Sequence, residues 1–274
     1  MRIVAVINQK GGTGKTTTAV SVAGVLAERG QAVLLIDLDP QGSASTWLSV
    51  PPSGRALFDA LVGTRDLAQL AVQTEVDGLF VISSSPWLVT AERMLLGDLG
   101  VGVLRAIERL RTTTWDFVII DCPPTLSHLA VGALMAVREV IVPVEARSIA
   151  VPGAAAVVSE IRRLQMTLNR ELREPLILAC RVSRTVHARQ VVSELRSLYG
   201  DLLAQTTIRE TIRLADAAAA HRPITALAPD STGSRDYRAF VDELVARDGR
   251  ESTGIGSRLR HFIGRTTARG TAPS

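Results

Sequence analysis

Residues 10–17 read Lys-Gly-Gly-Thr-Gly-Lys-Thr-Thr, between a β-branched run at 2–8 and an Ala/Val-rich stretch at 16–29 that ends at Gly30. A glycine-rich turn with a strand before it and a helix after it is a cradle for phosphate. The glycines let successive backbone N–H groups face an anion, and the helix N-terminus adds partial positive charge. Lys15 has the reach to the β- and γ-phosphates of a nucleotide, and the Thr16 hydroxyl suits a Mg²⁺ ligand. The common form of this loop carries a glycine five residues before Gly14. Here Gln9 occupies that place, followed by a second lysine, Lys10, and the pair Gly11-Gly12. Lysine is otherwise unused: Lys10 and Lys15 are the only two lysines among 31 basic residues.

The loop predicts an α/β fold, and the rest of the chain agrees. Apolar runs at 32–36, 79–83, 117–121, 137–144 and 176–182 read as buried strands. Helix-period segments lie at 91–111, 153–168 and 188–199, and 40–54 reads as a polar loop or loop-plus-turn. Strands alternating with helices predict a doubly wound, mostly parallel sheet covered on both faces, with the nucleotide at the C-terminal strand ends. The longest stretch without a formal charge, 122–137, is 16 residues, shorter than the roughly 20 a spanning helix needs. The first residues run straight into a strand pattern, with no charged leader or cleavage site, so a cytoplasmic protein is expected. Two cysteines, Cys122 and Cys180, are too few for a disulfide framework or a four-ligand metal site.

The net charge is +4, and 249–274 holds five arginines against one glutamate, so residues 1–248 are neutral. The expected division is a phosphate-loop domain over 1–248 and a basic Gly/Ser/Arg tail over 249–274. A neutral body leaves nucleic-acid binding to a local patch rather than to overall charge.

Several segments together carry a resemblance. The loop 10–17 resembles the deviant Walker A phosphate loop of the ParA/MinD class of ATPases. Asp37-Leu38-Asp39-Pro40-Gln41 and Asp121-Cys122-Pro123-Pro124 resemble the partitioning branch of that class. Residues 212–215 (Ile-Arg-Leu-Ala) and 221–224 (His-Arg-Pro-Ile) resemble a later family segment. The likeness spans about 1–247. It implies an ATPase of plasmid or chromosome partitioning that uses ATP and Mg²⁺, forms a homodimer on ATP, and binds DNA without sequence preference. A centromere-binding partner of the ParB kind would stimulate it on the nucleoid.

By that resemblance the nucleotide is held by Lys10, Gly11, Gly12, Thr13, Gly14, Lys15, Thr16 and Thr17. Thr16 ligates the metal and Asp121 holds one of its waters. Asp39 orients the attacking water, and Lys10 reaches the partner subunit's nucleotide in trans. Asp37 either caps the loop or touches magnesium. Arg184 and Arg213 fall at the family's DNA-binding positions, with Arg181, Arg189 and Arg209 as neighbours that would widen the patch. Arg209 departs from the family, which usually has proline there, next to the adenine.

Two other classes fit parts of the chain. Ile255, Leu259, Phe262 and Ile263, interleaved with Arg258, Arg260, His261 and Arg265, form a short basic amphipathic pattern suited to an anionic membrane. It resembles the C-terminal targeting helix of the MinD branch, and extra DNA affinity or a disordered or core-docking tail are the other readings. An iron-protein reductase would need cluster-ligating cysteines, for which neither Cys122 nor Cys180 is placed. A ligase or kinase would need a second substrate pocket.

Overall fold

The computed structural model describes residues 1–94, 98–146 and 150–247. The strands are β1 (Arg2–Val6), β2 (Val33–Asp37), β3 (Val72–Gln73), β4 (Leu79–Ile82), β5 (Phe117–Asp121), β6 (Glu139–Glu145) and β7 (Leu176–Cys180). They form one sheet in the order β3-β4-β2-β5-β1-β6-β7. Every pairing is parallel except the short edge pair β3–β4. This is the doubly wound α/β sheet that the strand–helix alternation predicts.

Period-two geometry gives the sheet two cores. Ile3, Ala5 and Ile7 point to one face, with Leu34, Ile36, Val118 and Ile120. Val4 and Val6 point to the other, with Val33, Leu35 and Ile119. The second face is covered by α1 (Lys15–Glu28), whose middle, from Thr18 to Ala27, is buried along its length. Both sides being covered explains why these strands are near-continuous apolar runs rather than alternating ones.

The remaining helices are α2 (Ser43–Trp47), α3 (Ala56–Leu61), α4 (Trp87–Met94), α5 (Asp98–Arg109), α6 (His128–Ala136), α7 (Ala150–Thr167), α8 (Val186–Tyr199), α9 (Arg213–Ala219), α10 (Ile224–Leu227) and α11 (232–247). Several differ from the sequence reading. The polar stretch 40–54 contains α2, because the Asp37 carboxylate accepts from the Ser45 backbone N–H and Trp47 is buried, its indole donating to the Arg222 carbonyl. The segment 91–111 is helical over 91–94 in α4 and over 98–109 in α5, and α4 begins four residues early, where the Ser85 hydroxyl accepts from the Trp87 N–H. The charge-free stretch 122–137 holds α6, buried between sheet and neighbours. The expected tail helix lies outside the described residues.

Strand register places the chemistry. Val6, Asp37 and Asp121 pair across β1, β5 and β2, so three strands end level with one another. The phosphate loop leaves β1 at that end, as the doubly wound rule for ligand position requires.

Helices α5 and α6 cross where two glycines meet. A Cβ on Gly132 would lie 2.5 Å from the Gly100 carbonyl oxygen and 2.7 Å from Val103 Cβ, and backbone cannot yield that much. Gly132→Ala should therefore lower unfolding free energy by about 1–3 kcal/mol, the usual cost of overpacking. Gly153→Ala, which meets open space in α7, should not, and denaturant titration of the two variants checks the difference.

Candidate nucleotide site

The loop between β1 and α1 turns on two left-handed glycines, Gly12 (φ 76°) and Gly14 (φ 94°). No side chain caps α1, so its first N–H groups are left for an outside acceptor. Asn8 anchors the loop from beneath: its amide donates to the Pro143 carbonyl at 2.7 Å and its Oδ1 accepts from the Lys10 N–H at 3.1 Å. Thr13 is buried, its hydroxyl donating to the Lys10 carbonyl. That same carbonyl accepts from Lys15 Nζ at 3.4 Å, which parks the ammonium across the loop.

A cleft of about 690 Å³ opens above the loop. Gly11, Gly12, Gly14, Lys15, Thr16 and Thr17 form one wall, with Asp39 beside them; Arg209, Ile212 and Ala215 stand on the far side. The volume lies in the range of small-molecule sites. Lys10 is exposed and does not line this cleft.

Three carboxylates gather at the level strand ends. The Thr16 hydroxyl donates to Asp121 Oδ2 at 2.7 Å, while Asp121 Oδ1 is buried with no hydrogen-bond partner. Burial, then the charge of Asp37, holds the Asp121 carboxyl well above the usual carboxylate range; Thr16 and Lys15 pull the other way. Asp37 is fully buried and accepts from the Ser45 N–H (2.8 Å), the Ser45 hydroxyl (2.6 Å) and the Asp39 N–H (3.2 Å). Burial pushes its carboxyl up to about 6, against the hydrogen bonds from Ser45. Of the two readings for Asp37, the hydrogen bonds match capping of the loop. Asp39 lies at the cleft, its Oδ1 accepting from the Gln41 N–H at 3.0 Å and its carbonyl from the Ser84 hydroxyl at 2.5 Å. Burial lowers Lys15 below the ordinary lysine range, while Asp121, Asp39 and Cys122 raise it.

This arrangement fits a divalent cation held together with phosphate. The orphaned Asp121 Oδ1 and the Thr16 oxygen are hard oxygen donors of the kind Mg²⁺ prefers. Among the described residues no group of three or more His, Cys, Asp or Glu is placed to hold a metal alone. A cation here therefore depends on ligands that arrive with it, which is how Mg²⁺ usually binds beside a nucleotide.

The cysteines are inert by environment. Cys122 and Cys180 are both buried and free, and burial raises each thiol above its usual range. Cys122 packs in the core as expected, and Cys180 underlies the cleft against Gly14. Sequence reasoning missed Ser45 and Ser84, which hold the two Asp residues of β2 and its following turn, and Tyr237, whose hydroxyl meets Thr18 at 3.2 Å behind the loop. Ser84 and Tyr237 act across 45 and 219 residues, and Ser45, eight residues from Asp37, belongs to no motif that would betray it.

A family model described as "AAA domain" matches residues 1–174. The chain is 39% identical to the chromosome-partitioning ATPase Soj of Thermus thermophilus, over 90% of this chain and 96% of that protein. It is 34% identical to the sporulation initiation inhibitor protein Soj of Bacillus subtilis, over 89% and 98%. The chain belongs to the ParA/Soj family of partitioning ATPases. It is an ATPase, and ATP and Mg²⁺ are the nucleotide and metal of its family. A solved structure described as cobyrinic acid a,c-diamide synthase from Mycobacterium smegmatis, with bound ATP analog and magnesium, is 32% identical. It covers 89% of this chain and 94% of its own, with a TM-score of 0.77. Among the described residues no helix is long and apolar enough to cross a membrane.

Nucleotide affinity should depend on both ends of the Lys15–Thr16 pair. Thr16→Ala should weaken Mg²⁺-dependent binding of a fluorescent ATP analogue by about 10–100-fold, the usual loss for a disturbed metal site. Lys15→Ala should remove measurable binding, with circular dichroism showing both variants folded.

Proposed function

We propose that this chain is a DNA-partitioning ATPase that dimerises on ATP, binds DNA without sequence preference, and hydrolyses ATP when a centromere-binding partner stimulates it. The N-terminus of α1 and Lys15 take the phosphate charge. Thr16 would ligate Mg²⁺ and Asp121 would hold one of its waters, and the bound metal would supply positive charge beside the phosphates. Asp39, at the cleft edge and fixed through Ser84 and Gln41, orients the attacking water. Little covalent chemistry is asked of the protein; positioning and electrostatics carry the reaction.

The observation that carries this reading is the position of Lys10. Thr16, Thr17, Lys15 and the glycines line the cleft and Thr13 packs beneath it, but Lys10 stands exposed and outside it. Its ammonium serves a nucleotide across an interface, in the cleft of a second subunit, as an arginine finger given in trans does.

The DNA surface follows from the pairing of two segments after β7. The Val182 N–H donates to the Ile208 carbonyl (3.0 Å) and the Glu210 N–H to the Val182 carbonyl (3.1 Å), which sets 181–184 beside 208–213. Arg184 is exposed, and Arg213, at the start of α9, makes only an exposed pair with Asp216. Such a pair is worth little and yields readily to phosphate. Arg181 and Arg209 do not widen the patch in the way the sequence suggests. Arg181 faces Glu145 and Glu210, and Arg209 is paired with Asp236.

Two experiments test the reading. Lys10→Ala should bind ATP yet remain monomeric in sedimentation with a slowly hydrolysed analogue, whereas Asp39→Ala should dimerise and turn over poorly; a dimeric Lys10→Ala overturns the trans role. ATP-dependent DNA binding should fall with salt at a log–log slope of roughly −0.9 per phosphate contacted. Arg184→Glu with Arg213→Glu should abolish that binding and leave nucleotide affinity intact. If deletion of 249–274 abolishes it instead, the tail is the DNA element; if that deletion only releases the protein from anionic liposomes, a MinD-like reading replaces this one.

A further inference from the structure

The far end of the cleft has a composition of its own. Residues of 208–218 line the same cleft as Lys15 and Thr16, which offers this wall to the base of a nucleotide anchored there by its phosphates. Ile208, Leu214 and Ala215 give that wall an apolar surface for the faces of a purine, and its polar edge carries Arg181, Arg209 and Glu210. Arg181 and Glu210 face each other at 3.8 Å.

Arg209 is held rigidly. Its backbone N–H donates to Asp236 Oδ2 at 3.0 Å, its Nε lies 3.1 and 3.0 Å from Oδ1 and Oδ2, and its Nη2 is 2.5 Å from Oδ1. Asp236 itself is 9% exposed, whereas the Arg209 side chain is 48% exposed. The carboxylate thus takes Nε and Nη2, and the half-exposed guanidinium lines the cleft. Asp236 sits on α11 next to Tyr237, which packs behind α1, so the guanidinium is registered to the same body as the phosphate loop.

A guanidinium donates and never accepts. Guanine presents two adjacent acceptors, N7 and O6, where adenine presents one acceptor beside the N6 amine, itself a donor. A fixed donor at the base end therefore gains with guanine and meets a like group on adenine. We propose that Arg209 sets the base selectivity of this cleft and narrows its preference for adenine over guanine. The proposal rests on this cleft being the nucleotide site and is independent of dimerisation and DNA binding.

Equilibrium displacement of a fluorescent ADP analogue by ADP and by GDP, each with Mg²⁺, measures it on the full chain. The wild type should prefer ADP by no more than about tenfold, and Arg209→Met, which keeps the stem and removes the donors, should widen that ratio by about tenfold or more, chiefly by weakening GDP. The ratio within one variant does not depend on how much of it is folded. Arg209→Lys, which keeps the charge and loses the planar fork, should fall between the two. An unchanged ratio in Arg209→Met overturns the proposal, as does a wild-type preference for ADP beyond about a hundredfold. A shift in Glu210→Gln with none in Arg209→Met assigns selectivity to the carboxylate and overturns it too. Failure of the wild type to bind either nucleotide overturns the cleft assignment and the proposal with it.

Discussion

The hydrogen bond from the Thr16 hydroxyl to Asp121 joins the first turn of α1 to the end of β5, and the geometry of the cleft depends on it. Around it, Asp37, Asp39 and Asp121 are all buried, and Lys15 is the one ammonium among them. Removing charges from water costs several kcal/mol per ion even after relaxation, and one lysine cannot compensate three carboxylates. Burial first, and then the charge of the neighbouring carboxylates, raises Asp37 and Asp121, and Asp121 Oδ1 is buried with no hydrogen-bond partner. A divalent cation bound together with nucleotide oxygens would fit this cluster, because the protein offers it few oxygens of its own.

The carboxylate that the sequence leaves ambiguous, Asp37, turns out to organise its surroundings. Its three hydrogen bonds build the turn into α2 and fix the start of the segment that bears Asp39. Ser84, after β4, accepts nothing from Asp39 but donates to its carbonyl, while its own N–H donates to Ser45 and its carbonyl accepts from Ser53. The residues around the cleft edge are thus held by small hydroxyl side chains from three separate parts of the chain. Short hydroxyls have few rotamers to lose, so they fix a carboxylate at low entropic cost.

Charge on the surface is arranged by pairing rather than by excess. Arg2 with Glu139, Arg238 with Glu28 and Arg209 with Asp236 are spent within the body, in keeping with its neutral total. A patch of positive charge on such a body is made by where arginines are left exposed, and that is a property of the folded arrangement. The two segments that carry Arg184 and Arg213 lie side by side through backbone hydrogen bonds of β7's continuation. The same juxtaposition brings Arg209 to the wall of the nucleotide cleft.

The phosphate loop, its strand and its helix were legible in the sequence because they are local. Glycines at fixed offsets, a lysine and a threonine encode the backbone turn and the helix start within eight residues. Most of the parallel strands were legible for a related reason, since burial on both faces leaves continuous apolar runs. The helix α2, the early start of α4 and the buried α6 were not, because they rest on side-chain bonds to Asp37 and Ser85 outside the helices and, for α6, on packing against Gly100 of α5. Likewise, the sequence named Lys10, Asp39 and Asp121 as candidates, but only the tertiary structure decided which of them share a cleft. Lys10 lies outside it and Asp39 lines it, while Asp121 is buried at the strand end behind Thr16, where the level register of β1, β2 and β5 puts it. Hydrogen-bonded strands transmit position across long sequence separations, whereas a motif specifies only the few residues whose backbone it bends.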